Sequence, residues 1–292
     1  MSGTRSRWPQ VPTEFGDAMS RRADELYEVP DAPIDDRGLI DCAVLPLRDI
    51  VLYPNMVTPL FVNHEPTHVA IEDATRAAET MIAIAQRNPD VENPDPADLY
   101  TVGVEAAVGR LMHIPDGSVS VLTQGRRRVQ IVSLSKDGAS LRAKARPVEE
   151  DVDRTKETTA LMRAVLTLFE KCVQLNRSLP EEAYVYAVNI EEPGWLADLI
   201  ASALSLPIAE RQEILETFDP VMRLQLMSVV LGRELDVLEL ELFEDLEADD
   251  RLVQEHVVEH ASEGVLRVGG SDRSLEGFGD RDPERAGVVG VR

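Results

Sequence analysis

Residues 102–131 read VGVEAAVGRLMHIPDGSVSVLTQGRRRVQI, and their alternation decides the kind of fold that the first half of the chain adopts. Val102, Val104 and Val108 lead to Pro115, Asp116 and Gly117, whose backbone preferences suit a turn. Val119, Val121 and Thr123 then alternate with Ser118, Ser120 and Leu122. Gly125 interrupts, and RRRVQIVSL resumes. A period of two places successive side chains on opposite faces, as strands require. Lys136-Asp137-Gly138 supplies the next turn, and ASLRAKARPV alternates to its end. The segment therefore predicts a β-meander.

Towards the N-terminus the texture is similar. Leu45–Val62, LPLRDIVLYPNMVTPLFV, is almost wholly apolar but is broken by three prolines and an Arg-Asp pair. CAVLPL and VTPLFV, apolar, β-branched and bounded by prolines, predict short strands. EPTHVAIEDATRAAE between them and MIAIAQ predicts a single helix, with Pro66 in its first turn and Val69, Ile71, Ala74 and Ala78 on its apolar surface. MIAIAQ predicts another strand, and the proline-rich RNPDVENPDPADL a loop. Strands with one helix among them suggest a small closed or half-closed sheet. Residues 1–40, polar and carrying Pro9, Pro12, Pro30 and Pro33, read as a flexible leader.

Near Glu149 the period changes. In TTALMRAVLTLFEKCVQL, Leu161, Val165, Leu168, Cys172 and Leu175 recur at spacings of three and four, beside a second line of Met162, Leu166, Phe169 and Val173. So broad an apolar face predicts a helix packed on at least two sides. EEAYVYAVNI, GWLADLIASALSL and IAERQEILETF follow as helices, each preceded by a proline. Asp219 before Pro220 marks the start of the last one, since the carboxylate can cap it and proline suits the first helical position. Leu224, Leu231 and Leu238 repeat every seven residues, and Leu235 and Leu242 share that spacing, a short heptad seam suited to rigidity or self-association. The next seam positions are Asp245 and Asp249. Residues 248–292 read as an acidic to Gly-rich tail without the apolar content of a packed core.

At 292 residues the chain has room for about two domains, here a β lobe at 41–149 and a helical lobe at 150–247. The formal charge is −23, with most of the excess in residues 151–250. A field of that sign repels phosphate backbones, so nucleic acid is an unlikely partner. Cys42 and Cys172 are too far apart and too few for a disulfide framework and read as free thiols. The N-terminus lacks the apolar core of a signal peptide, and no window approaches ~18 uninterrupted apolar residues. A cytoplasmic chain without a membrane segment is expected.

Side chains with chemistry also have plainer roles. His64 and His68, like His256 and His260, have the i, i+4 spacing of metal ligands but lack a third ligand at a telling distance. No metal or other cofactor is expected. Arg126, Arg127 and Arg128 form a basic triplet with no nearby aromatic on which a base could stack. Alternation predicts Arg127 on one face and its neighbours on the other, as solvated charges or contacts to the acidic second lobe. The strongest candidate for binding is RDIVLYPNM, where Ile50, Leu52, Tyr53 and Met56 give a loop more apolar area than it needs. Prolines at 46, 54 and 59 limit its freedom, so little entropy is lost on binding. Methionine adapts to varied partners, and tyrosine offers both an apolar ring and a hydroxyl.

Three blocks, LPLRDIVLYPNMVTPLFV, VGVEAAVGRLMHIPDGSVSVLTQGRRRVQI and EEPGWLADLIASALSLPIAERQEILETFDPVMRL, resemble in order the N-terminal domain of Lon ATP-dependent proteases. The resemblance implies an α+β fold, a PUA-like β-barrel lobe followed by an α-helical bundle lobe, and a role in recognising unfolded or degron-bearing proteins. It also implies association with itself or with a full-length Lon protease. The chain departs from the family's full plan. There is no G-x-x-x-x-G-K-[ST] and no Gly-Lys pair to cradle ATP phosphates. SKDGAS at 135–140 superficially resembles the family's catalytic-serine segment, yet a hairpin turn explains it and Ser140 has no suitable distant lysine. The expectation is a non-catalytic module that binds unfolded or damaged proteins, as an adaptor or modulator of a full-length protease. The alternatives are a truncated fragment of such a protease and a PUA-like RNA-binding module.

Overall fold

The computed structural model describes residues 26–62, 65–113, 119–137, 140–150 and 154–243. The leader up to residue 25, the turn expected at 114–118, His64, the His256/His260 pair and the tail from 248 lie outside the described residues. Up to Glu239 the described residues make one compact unit, and Leu240 to Phe243 belong to a second.

Six strands precede a run of helices. They are β1 (Ile40–Leu47), β2 (Val57–Val62), β3 (Met81–Ala85), β4 (Val102–His113), β5 (Val119–Asp137) and β6 (Ser140–Pro147), with α1 (Glu65–Ala77) between β2 and β3. The sheet order is β2-β5-β4-β3-β1-β6, and β6 also pairs with β5. The ring β4-β5-β6-β1-β3 is thereby closed. The length of β5 makes closure possible, because its 19 residues take β4 on one side and first β2, then β6, on the other. β1 and β3 are parallel, with Val44 opposite Ile82, so the chain needs the β2–α1 crossover between them. β3 is buried at every position. Its Ile82 and Ile84 join Ile40, Val44 and Val129 in one apolar cluster, while Met81, Ala83 and Ala85 join another. Burial on both faces explains why MIAIA shows no polar alternation.

After residue 154 the chain is helical: α2 (Lys156–Leu175), α3 (Glu181–Val188), α4 (Pro193–Ala203), α5 (Ile208–Glu216) and α6 (220–243). Thr155 caps α2 by accepting from the Thr158 amide at 3.1 Å. Asp219 caps α6, accepting from the amides of Val221 and Met222 at 2.8 and 2.9 Å, as its place before Pro220 predicted. One hydrophobic cluster runs from the strands (Leu45, Val104, Val121) through Leu52 and Tyr53 into the helices (Phe169, Leu196, Leu224). The strands and helices therefore share a core.

The structure departs from two expectations. Residues 26–39 do not behave as a free leader: Leu26 is buried with Ala107 and Leu122, and the Ala32 amide donates to Glu105 at 2.6 Å. The leucine seam also points inward. Leu224, Leu231 and Leu235 are buried, and Leu238 packs partly against the same cluster. Those leucines fill the core that short helices need, and they are unavailable for self-association. Leu242, 46% exposed, lies beyond the compact unit.

Both cysteines are buried free thiols. Burial pushes the Cys42 and Cys172 thiols up to about 11, and the thiolate is the reactive species. A disulfide reagent at neutral pH is therefore expected to label the native protein at least ~100-fold more slowly than the denatured chain. Rapid stoichiometric labelling of the native protein would contradict this burial.

Candidate functional site

The loop between β1 and β2 carries the residues singled out in the sequence, and the structure divides them. Tyr53, 1% exposed, and Leu52, 3% exposed, are core. The Tyr53 hydroxyl donates to the Arg211 carbonyl on α5 at 2.8 Å, and burial raises the phenol well above its ordinary value. Met56 is half-buried, with Sδ 3.8 Å from Ser202 Oγ on α4. Ile50 is half-buried and packs against the core edge. The expectation of a four-residue contact surface is thus revised: Leu52 and Tyr53 hold the helices to the barrel. The tight turn that aims them inward uses Asn55 at φ 61, a conformation asparagine tolerates. It also needs Gly125, where a Cβ would lie 2.2 Å from the Tyr53 carbonyl oxygen.

What the stretch does present is a cleft of about 490 Å³. One wall is Leu45–Ile50. The facing wall is Pro59–Val62, and Thr67, Gln86 and residues 92–94 complete the lining. Both limbs of LPLRDIVLYPNMVTPLFV therefore meet across a single space. Phe61 stands at its rim, 68% exposed. Arg48 is held in place by donating from Nε and Nη2 to the Pro89 carbonyl at 3.0 and 2.8 Å. The carboxylates of Asp49 and Glu92 are exposed at the rim. Sequence reasoning found the stretch but missed Phe61, whose place on an outward β2 position follows from the alternation 57, 59, 61.

Each arginine of the triplet is engaged. Between Val104–Arg128 and Ala106–Gly125 the β4–β5 register gains a residue on β5. That bulge breaks the alternation, so Arg126 and Arg127 both reach the segment before β1. Arg126 donates to the carbonyls of Leu26 and Val29, and Arg127 to Glu105 and the Ala32 carbonyl. Arg128 turns the other way, into the helices. It donates to Glu150 at 2.6 Å, to Asp198 at 2.5 Å and to the Leu215 carbonyl at 3.0 Å. Arg223 on α6 completes the cluster, bonding Glu150 and lying 3.2 Å from Asp198. Burial pushes the Asp198 carboxyl up, and the two guanidiniums pull it back. Gly194 leaves the room: a Cβ there would sit 2.4 Å from both Arg223 Nη2 and Glu150 Oε2. The predicted contact with the second lobe is real for Arg128, and the triplet offers no free cationic patch to a phosphate backbone.

Other candidates have plain roles. Ser140 opens β6 in register with Asp137, and Lys136 Nζ sits 2.8 Å from Asp95. His68 Nε2 lies 3.0 Å from the Val62 carbonyl oxygen. Among the described residues no group of three or more His, Cys, Asp or Glu side chains is placed to hold a metal, and no helix is long and apolar enough to cross a membrane.

The chain is thus a barrel closed by one long strand, sharing its core with a helical layer and opening on a cleft walled by both limbs of the apolar stretch. The comparisons with known proteins name this fold. Residues 41–233 match the family described as the ATP-dependent protease La (LON) substrate-binding domain, and the chain belongs to that family. It is 46% identical over 216 residues to Lon protease 2 of Herpetosiphon aurantiacus, covering 71% of this chain and 26% of that protein. It is 36% identical over 202 residues to the Lon protease of Escherichia coli K12, covering 69% and 26%. The chain thus spans about a quarter of the length of these relatives. Its fold matches the N-terminal domain of Mycobacterium avium complex Lon protease with a TM-score of 0.55 at 24% identity, over 66% of this chain and 98% of that one. The expected α+β class, a PUA-like barrel followed by a helical bundle, holds.

Proposed function

We propose that this chain is a non-catalytic recognition module that holds unfolded or damaged polypeptide at the cleft between Leu45–Ile50 and Pro59–Val62. The observation that carries the reading is that both limbs of the apolar stretch wall one open space in a chain of the Lon substrate-binding family. An unfolded chain exposes the aliphatic and aromatic side chains that a folded one hides, and the cleft offers Leu45, Leu47, Ile50, Leu60, Phe61 and Val62 to them beside polar groups that can orient a backbone. Leu45, Leu47, Leu60 and Val62 of the cleft walls belong to the shared core, which keeps them in place, so binding loses little ordering entropy. In the relatives the matching region is one part of a much longer protein. We propose that here, too, recognition serves ATP-dependent proteolysis in the cytoplasm, with this chain acting as an adaptor, as a modulator or as the amino-terminal part of the protease.

Casein unfolded by reduction provides the test. The intact protein is expected to bind it, and Ile50→Ser is expected to weaken binding about 3- to 10-fold while leaving the far-UV spectrum unchanged, the loss of one buried aliphatic contact. Because the attraction is mainly apolar, raising the salt concentration should leave most of it in place. Binding of RNA instead, lost steeply with salt, would reverse the reading.

A further inference from the structure

The cleft is a gap between two strand edges. Among the described residues β2 pairs with β5 alone. On β1, pairing with β6 ends at Ala43–Arg142, so the half from Val44 to Leu47 has β3 on one side and no strand on the other. The phase of β2 is fixed by chemistry. The Gly125 amide donates to the Met56 carbonyl at 2.9 Å, and Pro59 has no N–H to give to β5. Alternate residues Thr58, Leu60 and Val62 therefore turn their backbone groups to β5, and Val57, Pro59 and Phe61 turn theirs to the open side. Prolines also mark the opposite wall, at Pro46. Unpaired strand edges are templates for another strand.

We propose that an extended polypeptide segment with alternating apolar and basic residues enters this gap as an added strand, hydrogen-bonded to the outer edge of β2. This rests on the binding role proposed above and specifies its chemistry. The amides of Val57 and Phe61 and the carbonyls of Val57, Pro59 and Phe61 form the backbone template. Alternate apolar side chains of the guest lie against Leu47, Ile50 and Phe61. The intervening ones meet the exposed carboxylates of Asp49 and Glu92, whereas the Arg48 guanidinium is already occupied by the Pro89 carbonyl. Main-chain bonds supply affinity without regard to sequence, and the alternation supplies selectivity. Such a mode suits a module that must accept many unfolded chains and no folded ones.

The probe is a short fluorescent peptide alternating Val or Phe with Lys, measured by anisotropy with the intact protein. Two further versions carry N-methyl groups on alternate amides, one at each parity. N-methylation removes donors and leaves side chains in place. Loss of at least about tenfold at one or both parities is the expected result, the size of a few net hydrogen bonds. Phe61→Asp, at an exposed position that leaves folding intact, should weaken the unmodified peptide by a similar factor. Retention of binding at both parities, or indifference to Phe61→Asp, overturns the added strand. If reduced casein still binds in that case, the recognition role stands and only its mode is wrong. If neither casein nor any peptide binds, both fail.

Discussion

Replacing Asp198 with leucine is expected to destabilise the protein by about 3–5 kcal/mol, read as a lower urea midpoint with an unchanged slope. Asp198 is 2% exposed and meets Arg128 and Arg223. Without it, two buried guanidiniums share Glu150 as their one carboxylate, and the uncompensated charge dominates the cost. The net worth of the cluster is a separate quantity, because desolvation offsets most of the Coulomb gain. Replacing Asp198 and Arg128 together by Leu and Met should therefore recover a substantial part of the loss. A double variant no better than the single one would mean that packing, and not unpaired charge, sets the cost. Because the cluster joins β5, the segment after β6, α4 and α6, its loss should also loosen the helices from the barrel, visible as faster amide exchange in α5.

Tyr53→Ala is expected to cost a similar ~3–5 kcal/mol by leaving a large cavity in the shared core. Tyr53→Phe should cost about 0.5–1.5 kcal/mol, since one buried hydrogen bond is lost while the Arg211 carbonyl keeps its place in the helix. Client binding gives the contrast. Tyr53→Phe should bind reduced casein as the parent does, because the ring still fills its site and the cleft is unaltered. Tyr53→Ala should lose binding only in proportion to unfolded fraction. A fully stable Tyr53→Ala that no longer binds casein would place this ring on the surface, against its 1% exposure. Gly125→Ala belongs to the same corner. Its new Cβ meets the Tyr53 backbone, so a loss of about 1–3 kcal/mol is expected from overpacking that no rotamer change relieves.

Much of this architecture was legible because local chemistry dictates it. Period-two alternation gave the meander from Val102 to Pro147, and spacings of three and four gave α2 and α6. Asp219 before Pro220 gave the α6 start to the residue. The bulge at Gly125–Arg128 was not legible, since one extra residue on β5 is defined only by what β4 does opposite it. The same holds for Arg128, whose partners Glu150 and Asp198 lie 22 and 70 positions away in sequence.

The apolar stretch shows where the division falls. By itself the sequence determined that Leu45–Val62 is too apolar and too rich in proline to be solvated filler, that it forms strand, loop and strand, and that the chain has the blocks of the Lon substrate-binding family. Only the tertiary structure decided which of its side chains are core and which face an open space. Leu52 and Tyr53 went inward because α5 lies over them. Ile50 stayed at a cleft because among the described residues no strand fills the gap between β1 and β2. The leucine seam of α6 went the same way as Tyr53, into a core supplied by α2, α4 and α5. Hydrophobicity and period tell which faces must be covered. What covers them is set by contacts between segments distant in sequence, and those contacts separate packing from binding.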